Sequence, residues 1–145
     1  MFGSQLHNNR TSWEAIHATL AKMETGRWTS AWFYDHFLPP FSRTNEVMQH
    51  DTQDTFEGWS LLSGAAAVTE RLKLGILVTG NTYRNPALLA KMAATLDHMS
   101  AGRLILGIGA GWNVREHEAY GWEFPSMRER SDRLEEACAP IKALF

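Results

Sequence analysis

The chain has 145 residues, of which 44% are hydrophobic and 21% are charged, and its formal net charge at pH 7 is −2. A weak negative charge without a Lys/Arg-rich run argues against nucleic-acid binding, and the lack of an apolar stretch of about 20 residues argues against a membrane-spanning segment. One cysteine, Cys138, excludes an internal disulfide. No secretory signal pattern is visible, so we expect a single cytoplasmic globular domain over residues 1–145.

The first part of the chain predicts a strand, a helix and a second strand. A short apolar-polar run at 2–6 predicts the first strand. Thr11 and Glu14 have the Thr-x-x-Glu spacing of a capping box, and apolar residues at helical spacing follow them until Gly26. The aromatic-rich segment 28–34 predicts the second strand.

The middle of the chain predicts two further helices with a strand between them. Asp54 and Glu57 repeat the capping spacing before an apolar helix. The nearly continuous apolar run 72–78 is typical of a parallel strand that is covered on both faces. Asn85, followed directly by proline, predicts the start of the third helix, and Gly102 its end.

The last part predicts a fourth strand at 104–108 and a helix from about 127 to 145, in which Pro140 should cause a kink or an interruption. Four successive βα units predict an α/β fold with parallel strands and crossover helices. The sheet could be open and doubly wound, or it could be part of a (β/α)₈ barrel.

Asp35 and His36 follow directly after the second predicted strand. The carboxyl end of a parallel strand is where the βα loops of such folds carry their chemistry. A histidine can give or take a proton near neutral pH, and the adjacent Asp35 carboxylate could orient the imidazole ring. A loop histidine held by backbone hydrogen bonds is the alternative.

Two glycine-containing segments follow the third and fourth strands. Thr79, Gly80 and Asn81 could let the backbone approach a flat ligand closely, although an ordinary βα turn is the alternative. The segment 107–112 fails the G-x-G-x-x-G test for dinucleotide binding because Trp112 stands at the third glycine position. We interpret it as a strand end that admits a ring system, with tight strand packing as the alternative.

Two clusters of possible metal ligands carry little weight. Glu116, His117 and Glu118 lack the second histidine that a zinc protease motif requires, so we expect them on a solvated face or loop. His50 and Asp51 with the nearby Asp54 are equally thin as a site. We predict no metal site, and we expect Cys138 to be a small buried side chain.

In this order, several of these segments make the chain resemble the luciferase-like monooxygenase superfamily, and within it the branch that uses coenzyme F420, a deazaflavin. Each motif alone is weak, but the ordered set is specific and covers nearly the whole chain. The segments are 32–37, 72–79, 85–91, 95–103, 107–112 and 133–137.

The resemblance implies a TIM (β/α)₈ barrel with F420, or alternatively flavin mononucleotide (FMN), at its C-terminal mouth. It implies that His36 is the acid or base beside the reactive carbon, with Asp35 next to it. It also implies a non-proline cis peptide in the region of Thr79, Gly80 and Asn81. The fourth-strand loop, with Gly109, Gly111 and Trp112, would lie near the cofactor as well.

The length of the chain sets a further expectation. A complete barrel needs about 250 residues, so four βα units are a (β/α)₄ half of it. A lone copy would leave the first and fourth strands as open edges. We expect self-association into a homo-oligomer to cover them, with an internal rearrangement or a separate chain carrying the other half as alternatives.

Two function classes remain open at this point. The first is an oxidoreductase that moves a hydride between F420 and a small organic substrate, with an FMN-dependent monooxygenase as its nearest variant. The second is a non-catalytic half-barrel, either a fragment or a binding module. The loop from Phe41 to Thr55 would shape the substrate pocket in the first case.

Overall fold

The computed structural model describes residues 2–40 and 54–144, and these residues form an α/β fold of parallel strands with crossover helices. The predicted fold class is therefore confirmed. Of the predicted pocket loop from Phe41 to Thr55, residues 41–53, which include His50 and Asp51, lie outside the described residues. In chain order, the strands are β1 (Phe2–Gln5), β2 (Trp28–Phe33), β3 (Lys73–Ile76), β4 (Thr79–Gly80), β5 (Leu104–Ile105) and β6 (Ile108–Gly109).

Four of these strands form one parallel sheet in the order β1-β2-β3-β5. The third and fourth predicted strands each break in two, into β3 and β4 and into β5 and β6, and a cis peptide bond between Leu77 and Val78 follows β3. Beyond the break, β4 and β6 pair with each other in a second parallel sheet. The backbone nitrogen of Thr79 donates to the carbonyl of Gly107 at 2.9 Å, so the two segments of the chain stay side by side through the break.

A helix follows β1, β2, β4 and β6, and most helices were predicted in type and position. The additional short helix α4 was not predicted, because its segment is too short to show the periodic apolar pattern that predicts a helix. The helices are α1 (Trp13–Thr25), α2 (Gly58–Val68), α3 (Pro86–Met99), α4 (Val114–Tyr120) and α5 (Met127–Leu144).

Two predicted helix caps are wrong in register. The hydroxyl of Ser12, not of Thr11, accepts from the backbone nitrogen of Ala15 at 3.2 Å, so α1 is capped one residue later. Glu57 is itself the cap of α2, whereas the spacing predicted Asp54 for that position. Thr11 and Ser12 are neighbours of similar capping ability, so spacing alone cannot rank them, and Glu57 was not predicted because glutamate is not a preferred capping residue.

Helix α3 begins at the predicted cap, whereas α5 is not interrupted at its proline. Asn85 caps α3 as predicted, with its side-chain oxygen accepting from the nitrogen of Ala87 at 2.9 Å. The expected interruption at Pro140 is absent, because α5 continues through that residue. Ala137 and Ile141, on either side of it, are buried in the core and hold the adjoining turns.

The hydrophobic core lies between the main sheet and the helices packed on one of its faces. Alternate residues of β2 point into it, so Ala31 and Phe33 are fully buried while Trp32 between them is half-buried on the other face. No helix in the described parts of the chain is long and apolar enough to cross a membrane. The largest fully buried apolar side chains are Phe33, Leu20, Leu62, Leu72, Leu74, Ile76 and Leu89.

Candidate active site

A cleft of about 180 Å³ lies where the chain leaves β2, β4 and β6. Parallel strands end at the same edge of a sheet, which brings these three loops together. Of the residues predicted from the sequence, all but Asn81 line this cleft. Its lining residues are Asp35, His36, Leu77, Val78, Thr79, Gly80, Tyr83, Gly109, Gly111 and Trp112.

Asn81 points elsewhere. It lines a different depression of about 350 Å³, between the segment after β4 and helix α5, where Arg84 and Arg133 also lie. The backbone nitrogen of Asn81 continues the β4–β6 ladder by donating to the carbonyl of Gly109 at 2.8 Å. β4 ends at Gly80 and Asn81 begins a turn, so the alternation of the strand no longer fixes the side on which Asn81 lies.

His36 lies between the 180 Å³ cleft and a second, more open cleft of about 410 Å³. Its Nδ1 atom lies 3.0 Å from both carboxylate oxygens of Glu116. The ring is 14% exposed, and its Nε2 atom has no hydrogen bond among the described residues. The exposed Trp112 ring meets the imidazole edge-on at a centroid distance of 5.3 Å.

Glu116 is fully buried, and four donors converge on its carboxylate. The backbone nitrogens of Phe37 and Leu38 donate to Oε1 at 2.9 and 3.2 Å, and the Tyr83 hydroxyl donates to Oε2. Burial by itself raises the pKa of Glu116, but the hydrogen bonds from His36, Tyr83 and the backbone outweigh burial and lower it. Glu116 is therefore a buried, ionised carboxylate.

Helix α4 brings Glu116 to this position, and His117 anchors the helix. The buried imidazole of His117 has one nitrogen 2.8 Å from the carbonyl of Asn113 and the other 2.8 Å from the hydroxyl of Thr82. The expectation that Glu116 and His117 lie on a solvated face is wrong, whereas Glu118 is exposed as expected. Both errors concern residues with a side-chain partner at least 33 residues away in the sequence, namely Tyr83 and His36 for Glu116 and Thr82 for His117.

Asp35 does not orient the imidazole, contrary to expectation. Its carboxylate accepts two hydrogen bonds from Arg84, at 2.6 and 2.8 Å, and one from the backbone nitrogen of Gly80 at 2.9 Å. Arg84 also contacts Glu57 at 2.9 Å. Burial lowers the pKa of Arg84, but its two carboxylate partners outweigh burial and raise it. The group held beside His36 is thus an ion-paired carboxylate that ties the loop after β2 to β4.

Asn8 fixes the backbone that leads into His36. It is fully buried, and its side-chain nitrogen donates to the carbonyls of Tyr34 at 2.8 Å and Phe56 at 3.2 Å. Asn8, Tyr83, Arg84 and Glu116 were all missed from the sequence. For Glu116 one signal was available, because α4 begins a few residues after the fourth strand and so starts at the same edge of the sheet as His36.

The cleft combines an apolar wall with a buried hydroxyl group. Leu77, Val78 and Trp112 are 51%, 43% and 54% exposed, which is high for large apolar side chains. Thr79, which lines the same cleft, is fully buried, and its hydroxyl has no hydrogen-bond partner within the described part of the chain. Buried hydroxyls are normally satisfied, so this one favours a partner supplied by a ligand. The cis peptide lies at Leu77–Val78, before the predicted region of Thr79, Gly80 and Asn81, because β3 already ends at Ile76.

Glycines allow close packing of the segments that line this cleft. A Cβ atom on Gly80 would lie 2.5 Å from the Tyr83 ring, and one on Gly109 would lie 2.8 Å from Val78. Gly111 has a φ of +80°, which favours glycine, and a Cβ there would lie 2.6 Å from the Thr82 hydroxyl. A flat, mainly apolar ring with hydrogen-bonding groups at its edge fits such a wall, and flavins and deazaflavins are rings of this kind.

The comparisons with known proteins agree with this geometry. The sequence model of a family described as "Luciferase-like monooxygenase" matches residues 2–145. An F420-dependent glucose-6-phosphate dehydrogenase of Kineococcus radiotolerans is 40% identical over 117 residues, which are 80% of this chain and 32% of that protein. The enzyme of the same name from Amycolatopsis mediterranei is 34% identical over 80% of this chain and 33% of its own length.

Solved structures give the same result. An F420-dependent secondary alcohol dehydrogenase in complex with an F420–acetone adduct matches with a TM-score of 0.75 and 27% identity, over 97% of this chain and 40% of that one. A riboflavin lyase with modified FMN matches with a TM-score of 0.77, over 97% of this chain and 36% of that one, but at 14% identity it supports the fold alone. This chain spans about a third of the length of the curated relatives that it matches. Since the family model covers nearly every residue, the chain belongs to the luciferase-like monooxygenase family.

Proposed function

We propose that this chain is an oxidoreductase that binds the deazaflavin F420 in the 180 Å³ cleft and uses His36 as the acid or base of a hydride transfer. The observation that carries the proposal is the position of His36 between two clefts, with Nε2 making no hydrogen bond to residues 2–40 or 54–144. The smaller cleft would hold the ring, and the 410 Å³ cleft would receive a small organic substrate.

The residues that would hold the cofactor follow from the lining of the cleft. The exposed faces of Leu77, Val78 and Trp112 would cover the apolar ring, and the Thr79 hydroxyl would bond to a polar group at its edge. Gly109 would let the ring approach the backbone closely. When bound, the deazaflavin supplies a site that accepts or donates a hydride.

His36 would move the proton that accompanies this hydride. In alcohol oxidation, Nε2 accepts the hydroxyl proton while the carbon loses hydrogen with its electron pair, and a carbonyl forms. In the reverse direction, the protonated ring returns the proton to the carbonyl oxygen. General acid–base help of this kind contributes about 10²–10⁴ in rate.

The names of the relatives favour F420 over FMN. The relatives at 40% and 34% identity and the structure at 27% are described as F420-dependent. The FMN-containing neighbours are 14% and 18% identical. FMN remains the second candidate, since the apolar wall would accommodate either ring.

Turnover with a histidine variant tests this proposal. The 145-residue chain is mixed with oxidised F420 and either glucose 6-phosphate or 2-propanol, and the deazaflavin absorbance is followed. We expect cofactor reduction, and we expect His36→Asn to lower the rate at least about 100-fold while the cofactor affinity changes little.

His98→Asn is the matched control, because His98 is exposed in the last turn of α3. It should keep both rate and affinity. An unchanged rate in His36→Asn would remove His36 from the chemistry. A chain that binds neither F420 nor FMN would favour the alternative class, a non-catalytic half-barrel.

A further inference from the structure

We propose that Glu116 is the positioning residue of His36: its carboxylate holds the hydrogen of the imidazole on Nδ1 and so presents the unprotonated Nε2 to the clefts. The proposal deepens the proposed function, but its structural part does not depend on that function. The carrying observation is that Nδ1 contacts a buried carboxylate, whereas Nε2 makes no hydrogen bond to a described residue in a ring that lines two clefts.

The chemistry of the pair sets the tautomer. An ionised carboxylate can only accept hydrogen bonds, so an imidazole nitrogen 3.0 Å from both of its oxygens must be the donor. In a neutral ring the other nitrogen then carries the lone pair. Nε2 of His36 is therefore ready to accept a proton, and the charge that it gains lies one ring away from the negative charge of Glu116.

The carboxylate is itself held in place, which is what positioning requires. The nitrogens of Phe37 and Leu38 fix Oε1, and the hydroxyl of Tyr83 fixes Oε2. Burial raises the pKa of the Tyr83 hydroxyl, and its bond to Glu116 raises it further, so Tyr83 stays a donor. With both oxygens fixed, rotation of the carboxyl group cannot release the ring.

A merely structural role makes a different prediction. His36 and Glu116 are 80 residues apart, so their contact also ties the loop after β2 to α4. If the contact serves only this purpose, its removal lowers the stability of the protein and does not change which ring nitrogen carries the hydrogen. If it serves positioning, the location of the proton changes in a folded protein.

The test reads the ring nitrogens directly. In histidine-labelled protein above neutral pH, two-bond ¹H–¹⁵N spectra distinguish a protonated Nδ1 from a protonated Nε2. His36 is identified by the signal that disappears in His36→Asn. We expect the Nδ1-protonated form to dominate in the unaltered chain, and a dominant Nε2-protonated form would overturn the proposal whether or not any variant folds.

Glu116→Gln then tests the cause. The amide keeps the size of the side chain but places a donor where one carboxylate oxygen stood. We expect the Nε2-protonated form to rise to roughly half or more. Glu118→Gln, which removes an exposed charge from the same helix, should leave the tautomer unchanged. A folded Glu116→Gln protein with an unaltered tautomer would contradict the proposal.

A kinetic arm separates this proposal from the proposed function. With the donor that reduces F420 in the turnover assay, Glu116→Gln should lower the rate at least about 10-fold and shift the pH profile, while the cofactor affinity stays within a few-fold. If the tautomer behaves as described but the chain reduces no F420, the proposed function fails and the positioning role stands. If turnover depends on His36 but the tautomer is wrong, the positioning role fails and the function stands.

Discussion

Arg84 holds Asp35 through two hydrogen bonds, from Nη1 to Oδ2 at 2.6 Å and from Nη2 to Oδ1 at 2.8 Å. Both side chains are buried, at 9% and 1% exposure. A paired guanidinium and carboxylate in this geometry fix each other's orientation. Asp35, which is next to His36 in the sequence, therefore forms with Arg84 an ion pair, called here the Asp35–Arg84 pair, that aligns the loop after β2 with β4.

Removing Arg84 should destabilise the protein, because it breaks the Asp35–Arg84 pair. Arg84→Met leaves the charge of Asp35 buried without its partner, and we expect the free energy of unfolding to fall by about 3–5 kcal/mol. Urea denaturation measures this change. Arg128→Met is the control, because Arg128 is 93% exposed and its contact with Asp132 is long. A loss of unfolding free energy in Arg84→Met no larger than in this control would show that the Asp35–Arg84 pair contributes little to stability.

Glu57 makes stability depend on acid pH. Its carboxylate accepts from the nitrogens of Trp59 and Ser60 at the start of α2 and contacts Arg84. Burial raises its pKa, but these bonds outweigh burial and lower it below the ordinary value of 4.5. A lowered carboxyl pKa gives stability that is complete above the ordinary value and is lost as the pH falls through the lowered one.

We expect Glu57→Gln to be less stable than the unaltered chain by about 1 kcal/mol at pH 7, since a charged cap is replaced by a neutral one. The gap should shrink as the pH is lowered from 5 to about 3. Chemical denaturation at several pH values measures it. Glu118→Gln, an exposed substitution, should show no such convergence, and a gap in Glu57→Gln that stays constant with pH would contradict the assignment.

Alanine variants of two glycines with similar φ angles should distinguish the cost of backbone strain from the cost of a steric clash. Gly102 and Gly111 have φ angles of +78° and +80°, but an added Cβ meets nothing within 4 Å at Gly102 and lies 2.6 Å from the Thr82 hydroxyl at Gly111. Each alanine should cost about 1–2 kcal/mol for the backbone alone. Gly111→Ala should cost more and should also weaken cofactor binding, because Thr82 holds His117; equal effects of the two variants on stability and affinity would contradict this.

Self-association of the chain is a further prediction. Within the described residues, β1 and β5 are the outer strands of the main sheet, and Phe2 and Ile105 on them are 69% and 41% exposed. We expect a light-scattering mass of at least twice 16.4 kDa at micromolar concentration. Ile105→Lys should lower that mass, and a mass equal to one chain would contradict the prediction.

Local patterns were enough for most of the fold. Periodicity and strand composition placed α1, α3 and the second and third strands within about two residues, because those signals are carried by neighbouring side chains. The cap at Ser12 was misplaced by one residue because Thr11 beside it is similarly able to cap, and the cap at Glu57 was missed because glutamate is not a preferred capping residue. The break at Leu77–Val78 within the third predicted strand leaves no mark on its apolar pattern.

The candidate site was predictable only in part. His36, Thr79 and Gly109 lie at strand ends, and topology alone brings strand ends together. Glu116 acquires its role from a contact across 80 residues, so its sequence neighbours make it look like part of a charged surface. Asp35 was assigned to His36 because the two are adjacent in sequence, but its carboxylate is turned towards Arg84.

The most direct test of this account is a fluorescence titration of the chain with F420, with Thr79→Val measured beside it. We expect saturable binding at one site per chain, weakened about 2–10-fold in Thr79→Val, because that substitution removes the unpaired hydroxyl that would bond to the ring. The variant should fold at least as stably, since a buried hydroxyl without a partner is replaced by a methyl group. Absence of saturable binding, or equal affinity of the two proteins, would contradict the placement of the deazaflavin in this cleft.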